Sequence, residues 1–119
     1  MGRAKDAVGR YGERVAVAYL VAQGMRVLAR NWRCAAGEID AILCDGDTLV
    51  ILEVKTRRGD QFGVPAEAVV PAKAARLRRL AMLWLAQSSV HYTEVRFDVV
   101  SVLPRARGAA LVEHLRGAF

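Results

Sequence analysis

Residues 37–57 read GEIDAILCDGDTLVILEVKTR, and this stretch decides the fold. From Gly37 to Cys44, Ile39, Ala41 and Leu43 alternate with Glu38, Asp40 and Ile42, which is the period-two pattern of a strand. Asp45-Gly46-Asp47 is a hairpin turn signal. Thr48 to Arg57 then reads as a further strand, and its apolar run at 49–52 is continuous enough to be buried on both faces. We therefore predict a hairpin whose second strand lies in the centre of a sheet.

The segments on either side of this hairpin predict two helices and further strands. A helix is expected from Asp6 to about Gln23, because apolar residues recur at three- and four-residue spacings and a glycine follows: Val8, Val15, Tyr19, Ala22 and then Gly24. Met25 to about Arg33 reads as a first strand, and residues 59–71 read as a loop. A second helix is expected from Ala72 to Gln87, with one apolar stripe made of Leu77, Leu80, Ala81, Trp84 and Leu85.

Val95 to Val102 predicts a further strand, whereas a short last strand at Leu111–Leu115 stays open. The order of helix, three strands, helix and strand implies an α/β sandwich in which a mixed sheet is flanked by helices on both faces. No repeat or long linker divides the chain, so we expect a single domain over residues 1–119. Trp32 and Trp84 are expected in its core, and Asp98 is expected to make a buried structural bond.

Composition indicates a globular domain that meets a polyanion. The formal net charge is +6, but residues 36–70 hold seven acids and three bases, so the remainder carries +10. A basic surround attracts phosphates, and an acidic island holds a cation. A merely solubilising surface is the alternative explanation of the charge. With no signal peptide, no membrane-spanning run and no metal-ligand spacing at Cys34 and Cys44, the sequence predicts a cytoplasmic protein with reduced thiols.

Glu53-Val54-Lys55, at the end of the predicted central strand, carries the strongest chemical signal. Alternation along a strand points Glu53 and Lys55 to the same face. A structural ion pair would explain these two residues alone. The hairpin turn, however, brings Asp40 approximately opposite position 52 or 53, so two carboxylates and an ammonium should converge. Because like charges this close repel each other, a divalent cation is the simplest group that would relieve them.

Oxygen ligands favour Mg²⁺ or Mn²⁺ over Zn²⁺. Asp40, Glu53 and a nearby main-chain carbonyl, that of Val54, would supply them together with waters. The metal would polarise a scissile phosphate, while Lys55 would orient the attacking water or stabilise the developing negative charge. Glu13 shares a flank of the first helix with small residues that would let the helix approach the sheet, so it could add a ligand or hold a ligand water.

The Asp40 and Glu53-Val54-Lys55 pattern resembles the PD-(D/E)XK signature of the restriction-endonuclease-like superfamily, although Ile39 stands where that name has a proline. The whole chain more closely resembles the YraN-like family of small bacterial proteins. The matching stretches are Gly12-Glu13, Ala18-Tyr19-Leu20, Asn31-Trp32-Arg33, Gly37-Glu38-Ile39-Asp40, Glu53-Val54-Lys55-Thr56-Arg57, Phe62-Gly63, Lys73, Arg76-Leu77, Arg96-Phe97-Asp98 and Ala118-Phe119. The resemblance implies kinship with archaeal Holliday junction resolvases. It places metal-binding and catalytic roles on Glu13, Asp40, Glu53 and Lys55, and by analogy allows a symmetric homodimer.

Four cations near these acids are candidates for nucleic-acid contacts. Arg57 and Arg58 follow the Glu-Val-Lys strand, and Lys73 and Arg76 lie in the basic first half of the second helix. The sequence hypothesis is a Mg²⁺- or Mn²⁺-dependent endonuclease acting on DNA, in preference to RNA, with branched or structured DNA as the expected substrate. Two alternatives remain open, namely a nucleic-acid-binding module without catalysis and a purely structural domain.

Overall fold

The computed structural model describes residues 6–58 and 70–119. Within these ranges the elements follow the predicted order, and their bounds are α1 (Ala7–Ala22), β1 (Arg26–Cys34), β2 (Gly37–Asp45), β3 (Thr48–Thr56), α2 (Pro71–Gln87), β4 (Glu94–Leu103) and β5 (Leu111–Leu115). The loop predicted at 59–71 falls mainly on residues 59–69, outside the described residues, as does the Phe62-Gly63 match.

The strands form one mixed sheet in the order β1-β2-β3-β4-β5. β3 and β4 are parallel and are connected through α2, whereas the other neighbours are antiparallel. The last strand, which the sequence left open, does form, because residues 111–115 pair with residues 99–103 of β4. The predicted α/β architecture with a helix on each face is confirmed.

Each face of the sheet has its own apolar core. On the α1 face the helix residues Ala16, Val17 and Leu20 pack against the inward side chains of β2, β3 and β4. On the α2 face the helix residues Leu77, Leu80 and Ala81 pack against the opposite side of the same strands, with Trp32 and Trp84 partly buried beside them. β3 contributes to both cores, so residues 49–52 are buried on both faces, as predicted. No helix in the described part of the chain is long and apolar enough to cross a membrane.

The ends of α1 agree with the sequence prediction, but its packed face does not follow the apolar spacing. Asp6 caps the helix by accepting a hydrogen bond from the Gly9 N–H at 2.7 Å, and Gly24 follows with a positive φ of 101°. The buried residues are Gly12, Ala16, Val17 and Leu20, whereas Val8 and Val15 are partly buried and Tyr19 and Ala22 are exposed. Small residues face the sheet because they allow a close approach.

At Gly12 the helix α1 comes into direct contact with the end of β3. A Cβ on this residue would stand 1.9 Å from Thr56 Oγ1 and 2.9 Å from Thr56 Cβ, so only glycine fits there. The contact holds the middle of α1 against the end of β3. It thereby fixes the next residue, Glu13, relative to the Glu-Val-Lys strand.

A polar network around the fully buried Asp98 of β4 connects this strand with β5 and with the residues that follow β5. Its carboxylate accepts hydrogen bonds from Arg96 Nε at 2.9 Å and from the Gly117 N–H at 3.0 Å, and it contacts His114 Nε2 at 2.8 Å. Burial acts to raise the pKa of Asp98, but the bonds from Arg96 and Gly117 outweigh it and lower the pKa. The predicted structural role of Asp98 is therefore confirmed.

Candidate active site

The site is built where β2 and β3 separate. Their ladder ends at the pair Ala41 and Leu52, so the next step along the register places Asp40 opposite Glu53, as the hairpin predicted. Instead of a further main-chain pair, Asp40 Oδ2 accepts a hydrogen bond from the Val54 N–H at 2.8 Å. The carboxylate is thus held between the two strands by a main-chain donor that the ladder would otherwise use.

Glu53 and Lys55 lie on the α2 face, and Lys73 of α2 links them. The Lys73 ammonium forms an ion pair with the Glu53 carboxylate, and both side chains are largely buried. Burial raises the pKa of Glu53 and the negative charge of Asp40 raises it further, although Lys73 opposes this effect. The two carboxylates are therefore close enough to repel each other, as the sequence predicted.

The surroundings shift the pKa values of Lys55 and Lys73 in opposite directions. Burial lowers the pKa of Lys55, and the neighbouring charge of Lys73 lowers it further. Burial also disfavours the charged form of Lys73, but its bond to Glu53 outweighs this and raises its pKa. Lys55 is consequently the ammonium held less strongly in its charged form, and Lys73 is the counter-ion of Glu53 in this structure.

Glu13 lies on the other side of Asp40, in a cleft of about 180 Å³ against α1. The cleft is lined by Arg10, Glu13, Arg14, Val17, Arg30, Asn31 and Asp40. Asp40 therefore connects the α1 side of the site with the α2 side, where Glu53 is located. Among residues 6–58 and 70–119, no three Asp, Glu, His or Cys side chains form a metal-binding group. The structure brings Asp40 and Glu53 together, and places Glu13 with Asp40 in the cleft.

Three arginines of this cleft were missed as candidates from the sequence. Arg10 and Arg14 are four residues apart on α1 and flank Glu13, which is a signal that helical spacing could have provided. Arg30 adjoins the site because its strand partner is Ala41, next to Asp40. Asn31 has a left-handed φ of 51°, a local irregularity that periodicity does not reveal.

The four predicted nucleic-acid contacts differ from one another in their surroundings. Arg58 is well exposed and donates to Asp6 at 2.8 Å. Arg57 is partly buried, and its charge helps to lower the pKa of Lys55. Arg76 is exposed on α2 and passes close to Gly37, at the turn that starts β2. Lys73, in contrast, is drawn into the site by Glu53.

Glu38, two residues before Asp40 on β2, forms an ion pair with a residue of β1. It lies opposite Arg33 in the β1–β2 hairpin and accepts a hydrogen bond from Arg33 Nε at 3.0 Å. This cross-strand ion pair gives Glu38 a structural position.

The fold and the site define a small α/β protein with a carboxylate and lysine cluster at the open end of its central hairpin. A family model described as "Uncharacterised protein family UPF0102" matches residues 12–102, a range that includes every residue of this cluster, and the chain belongs to that family. The YraN-like resemblance is confirmed at this level. Kinship with the restriction-endonuclease-like superfamily and with Holliday junction resolvases stays a prediction.

Several UPF0102 proteins match this chain over nearly its whole length. The protein of Beutenbergia cavernae is 60% identical over 115 residues, which cover 97% of this chain and 98% of the relative. The protein of Frankia alni is 58% identical over 117 residues, or 98% of each chain. That of Kineococcus radiotolerans is 58% identical over 116 residues, covering 97% and 95%. The fold described above is thus shared by full-length relatives of similar size.

Proposed function

We propose that this protein is a Mg²⁺- or Mn²⁺-dependent nuclease that hydrolyses phosphodiester bonds in DNA, with branched or structured DNA as its preferred substrate. The observation that carries the proposal is the meeting of Asp40 and Glu53 at the point where β2 and β3 separate, with Lys55 beside them. A largely buried carboxylate whose pKa is raised by a second carboxylate beside it marks a site for a cation.

The donor set fits a cation that takes few protein ligands. Asp40 and Glu53 provide two carboxylates that repel each other, and Mg²⁺ is commonly bound through one or two carboxylates while it keeps several waters. Glu13 shares the α1-side cleft with Asp40 and would hold a ligand water. The Val54 carbonyl remains the proposed main-chain ligand. When bound, the metal would polarise the scissile phosphate and lower the pKa of a bound water.

The protein's own residues would supply position and charge. The Val54 N–H fixes the Asp40 carboxylate, so this ligand needs little reorganisation. Lys55 would hold the attacking water or stabilise charge that develops on the phosphate. The carboxylates lie between cations on both sides, with Arg14 and Arg30 in the α1-side cleft and Arg57 toward the α2 side. A DNA backbone crossing this end of the sheet would meet cations before and after the scissile bond.

A second function is favoured by the ion pair of Glu53. Because Lys73 occupies the Glu53 carboxylate, and no three acidic, histidine or cysteine side chains gather in the described part of the chain, a domain that binds nucleic acid without cleaving it also agrees with the geometry. This alternative keeps the basic surfaces and needs no metal.

The test is cleavage of a panel of linear, flapped and four-way DNA by the purified protein, with Mn²⁺, with Mg²⁺ and with a chelator. We expect metal-dependent cleavage of at least one substrate, and its loss in Glu53→Gln. Glu94→Gln is the matched control, since Glu94 is exposed at the start of β4, at the opposite end of the sheet.

Equal cleavage by Glu53→Gln and the parent protein would exclude the proposed site. Salt-dependent DNA binding without turnover under every metal condition would instead support the non-catalytic module.

A further inference from the structure

Two buried polar atoms near Lys55 have no hydrogen-bond partner in the described part of the chain. They are Ser101 Oγ, on a side chain that is fully buried in β4, and Arg57 Nη2, just beyond the end of β3. No partner for either atom lies within residues 6–58 and 70–119. Leaving a buried donor unpaired costs about 1–3 kcal/mol, more when it is charged. Such atoms in a native protein therefore require an explanation, often a water or an ion.

Both atoms belong to the surroundings of Lys55. Ser101 is the strand partner of Lys55 in the parallel β3–β4 ladder, so their side chains are neighbours on the same face. Arg57 follows two positions later, and its N–H bonds to the Val102 carbonyl at 2.7 Å, so the chain stays beside β4 at this point. The Arg57 charge also acts on Lys55. A hydroxyl, a guanidinium and an ammonium thus gather at the ends of β3 and β4.

The chemistry of these groups selects the ligand. A guanidinium and an ammonium only donate hydrogen bonds, and a serine hydroxyl can donate as well. An oxyanion with several acceptor oxygens would satisfy all three and offset their positive charge. A water would satisfy the hydroxyl but leave the mutual repulsion of Arg57 and Lys55 unchanged. Guanidinium geometry matches both carboxylate and phosphate oxygens, and a phosphate group has more oxygens with which to meet three separate donors.

We propose that Ser101 Oγ and Arg57 Nη2 form, with Lys55, a binding site for the oxygens of a phosphate group. The proposal rests on a phosphate-containing substrate, and it makes Ser101 and Arg57 the residues that position that phosphate beside Glu53. The proposal gives Arg57 a different role from that of Arg58, whose exposed side chain pairs with Asp6. The Lys55 side chain is only partly buried and has four flexible carbons, so its ammonium can turn toward a phosphate that reaches these donors.

The test is a phosphate titration of the full-length protein, followed by ¹H–¹⁵N NMR at constant ionic strength, with chloride as the reference anion. No metal and no turnover are needed. We expect saturable shifts at the amides of residues 55–57 and 101. Ser101→Ala and Arg57→Gln should each weaken phosphate binding by about tenfold, the effect of one hydrogen bond to a charged group. Arg26→Gln and Ser89→Ala, which remove the same groups from exposed positions, should bind phosphate as the parent protein does.

Two oligodeoxynucleotides of one sequence, with and without a 5′-phosphate, identify the source of the phosphate. Loss of affinity in Ser101→Ala for both would assign the site to internal phosphodiesters, and loss for the 5′-phosphorylated strand alone would assign it to a terminal phosphate.

Unchanged phosphate affinity in both Ser101→Ala and Arg57→Gln would overturn the proposal, and higher thermal stability of Ser101→Ala in that case would indicate that the hydroxyl is buried at a net cost and serves no ligand. Because the titration does not measure cleavage, the site can be confirmed in a protein that proves to have no nuclease activity.

Discussion

Replacement of Gly12 by alanine tests whether the contact between α1 and β3 positions the site. The added Cβ would lie 1.9 Å from Thr56 Oγ1, whereas ordinary contact begins at 3.4 Å, so one element must move by about the difference, 1.5 Å. Rotation of the Thr56 side chain does not remove the clash, because Thr56 Cβ itself would stand at 2.9 Å. The helix therefore has to shift away from the sheet.

Two opposing terms set the expected loss of stability. Overpacking of this kind costs about 1–3 kcal/mol, whereas alanine within a helix is favoured over glycine by about 0.5–1 kcal/mol. We expect a net decrease of about 1–2 kcal/mol in the free energy of unfolding, measured by urea denaturation. Thr56→Gly removes Oγ1, Cβ and Cγ2, the three atoms that the added Cβ would approach most closely. In that background Gly12→Ala should therefore lower the free energy of unfolding clearly less.

The same shift should reach the chemistry through Glu13, the next residue along α1. A displacement on the order of 1 Å can reduce a reaction rate about 100-fold, so cleavage should fall far more than the folded fraction does. If Gly12→Ala proves as stable as the parent protein, or if Thr56→Gly fails to reduce its cost, the close approach does not constrain the helix. If stability falls but cleavage per folded molecule is unchanged, Glu13 takes no part in the reaction.

Two further predictions concern the polar network and the α1-side cleft. Asp98→Asn should destabilise the protein by about 1.5–3 kcal/mol, because it removes the charged acceptor of the Arg96 and Gly117 donors, although Arg96 keeps its ion pair with Asp45. The pKa of Asp98 is lower in the folded protein than its ordinary value of 3.8. The ionised carboxylate therefore stabilises the fold above that value, and this stabilisation is lost as the pH falls through the folded pKa. The urea midpoints of the parent protein and Asp98→Asn should converge as the pH falls below about 4. Arg30→Gln should weaken DNA binding and reduce the slope of log affinity against log salt by about 0.9 for duplex, whereas Arg26→Gln, on the same strand but at the other end of the sheet, should change neither. Equal slopes for the two variants, from fluorescence anisotropy in a chelator, would remove the cleft from the DNA path.

The features that the sequence predicts well are those determined by local pattern. The turn at Gly46, which has a φ of 61°, sets the register of the hairpin, and that register alone brings Asp40 opposite Glu53. Alternation along β3 then assigns Glu53 and Lys55 to one face. These steps need no tertiary information, because they follow from the period of a strand and the geometry of a two-stranded turn.

The features that it misses depend on contacts between distant segments. The apolar spacing of α1 includes Tyr19, which is exposed, because the fit at Gly12 decides which side of the helix packs. His114 is sixteen positions from Asp98 along the chain, and the pairing of β5 with β4 brings the two side chains into contact. The pairing of Lys73 with Glu53 likewise requires α2 to cross over the sheet. None of these partners leaves a periodic signal.

The end of the β2–β3 ladder explains why a fold of this kind can hold a charged site at low cost. Where two paired strands separate, the next main-chain N–H would lack a partner, and Asp40 satisfies that of Val54 with a carboxylate oxygen. The charge is thereby fixed by a bond that the backbone needs in any case. Glu53 lies opposite Asp40, one register step beyond the last pair of the ladder, and it forms an ion pair with Lys73. The repulsion between the two acids is thus balanced by a cation of the protein itself. A divalent cation would have to compete with Lys73 for Glu53. The metal affinity therefore depends on the position of α2, which carries Lys73, as much as on the strands that carry the acids.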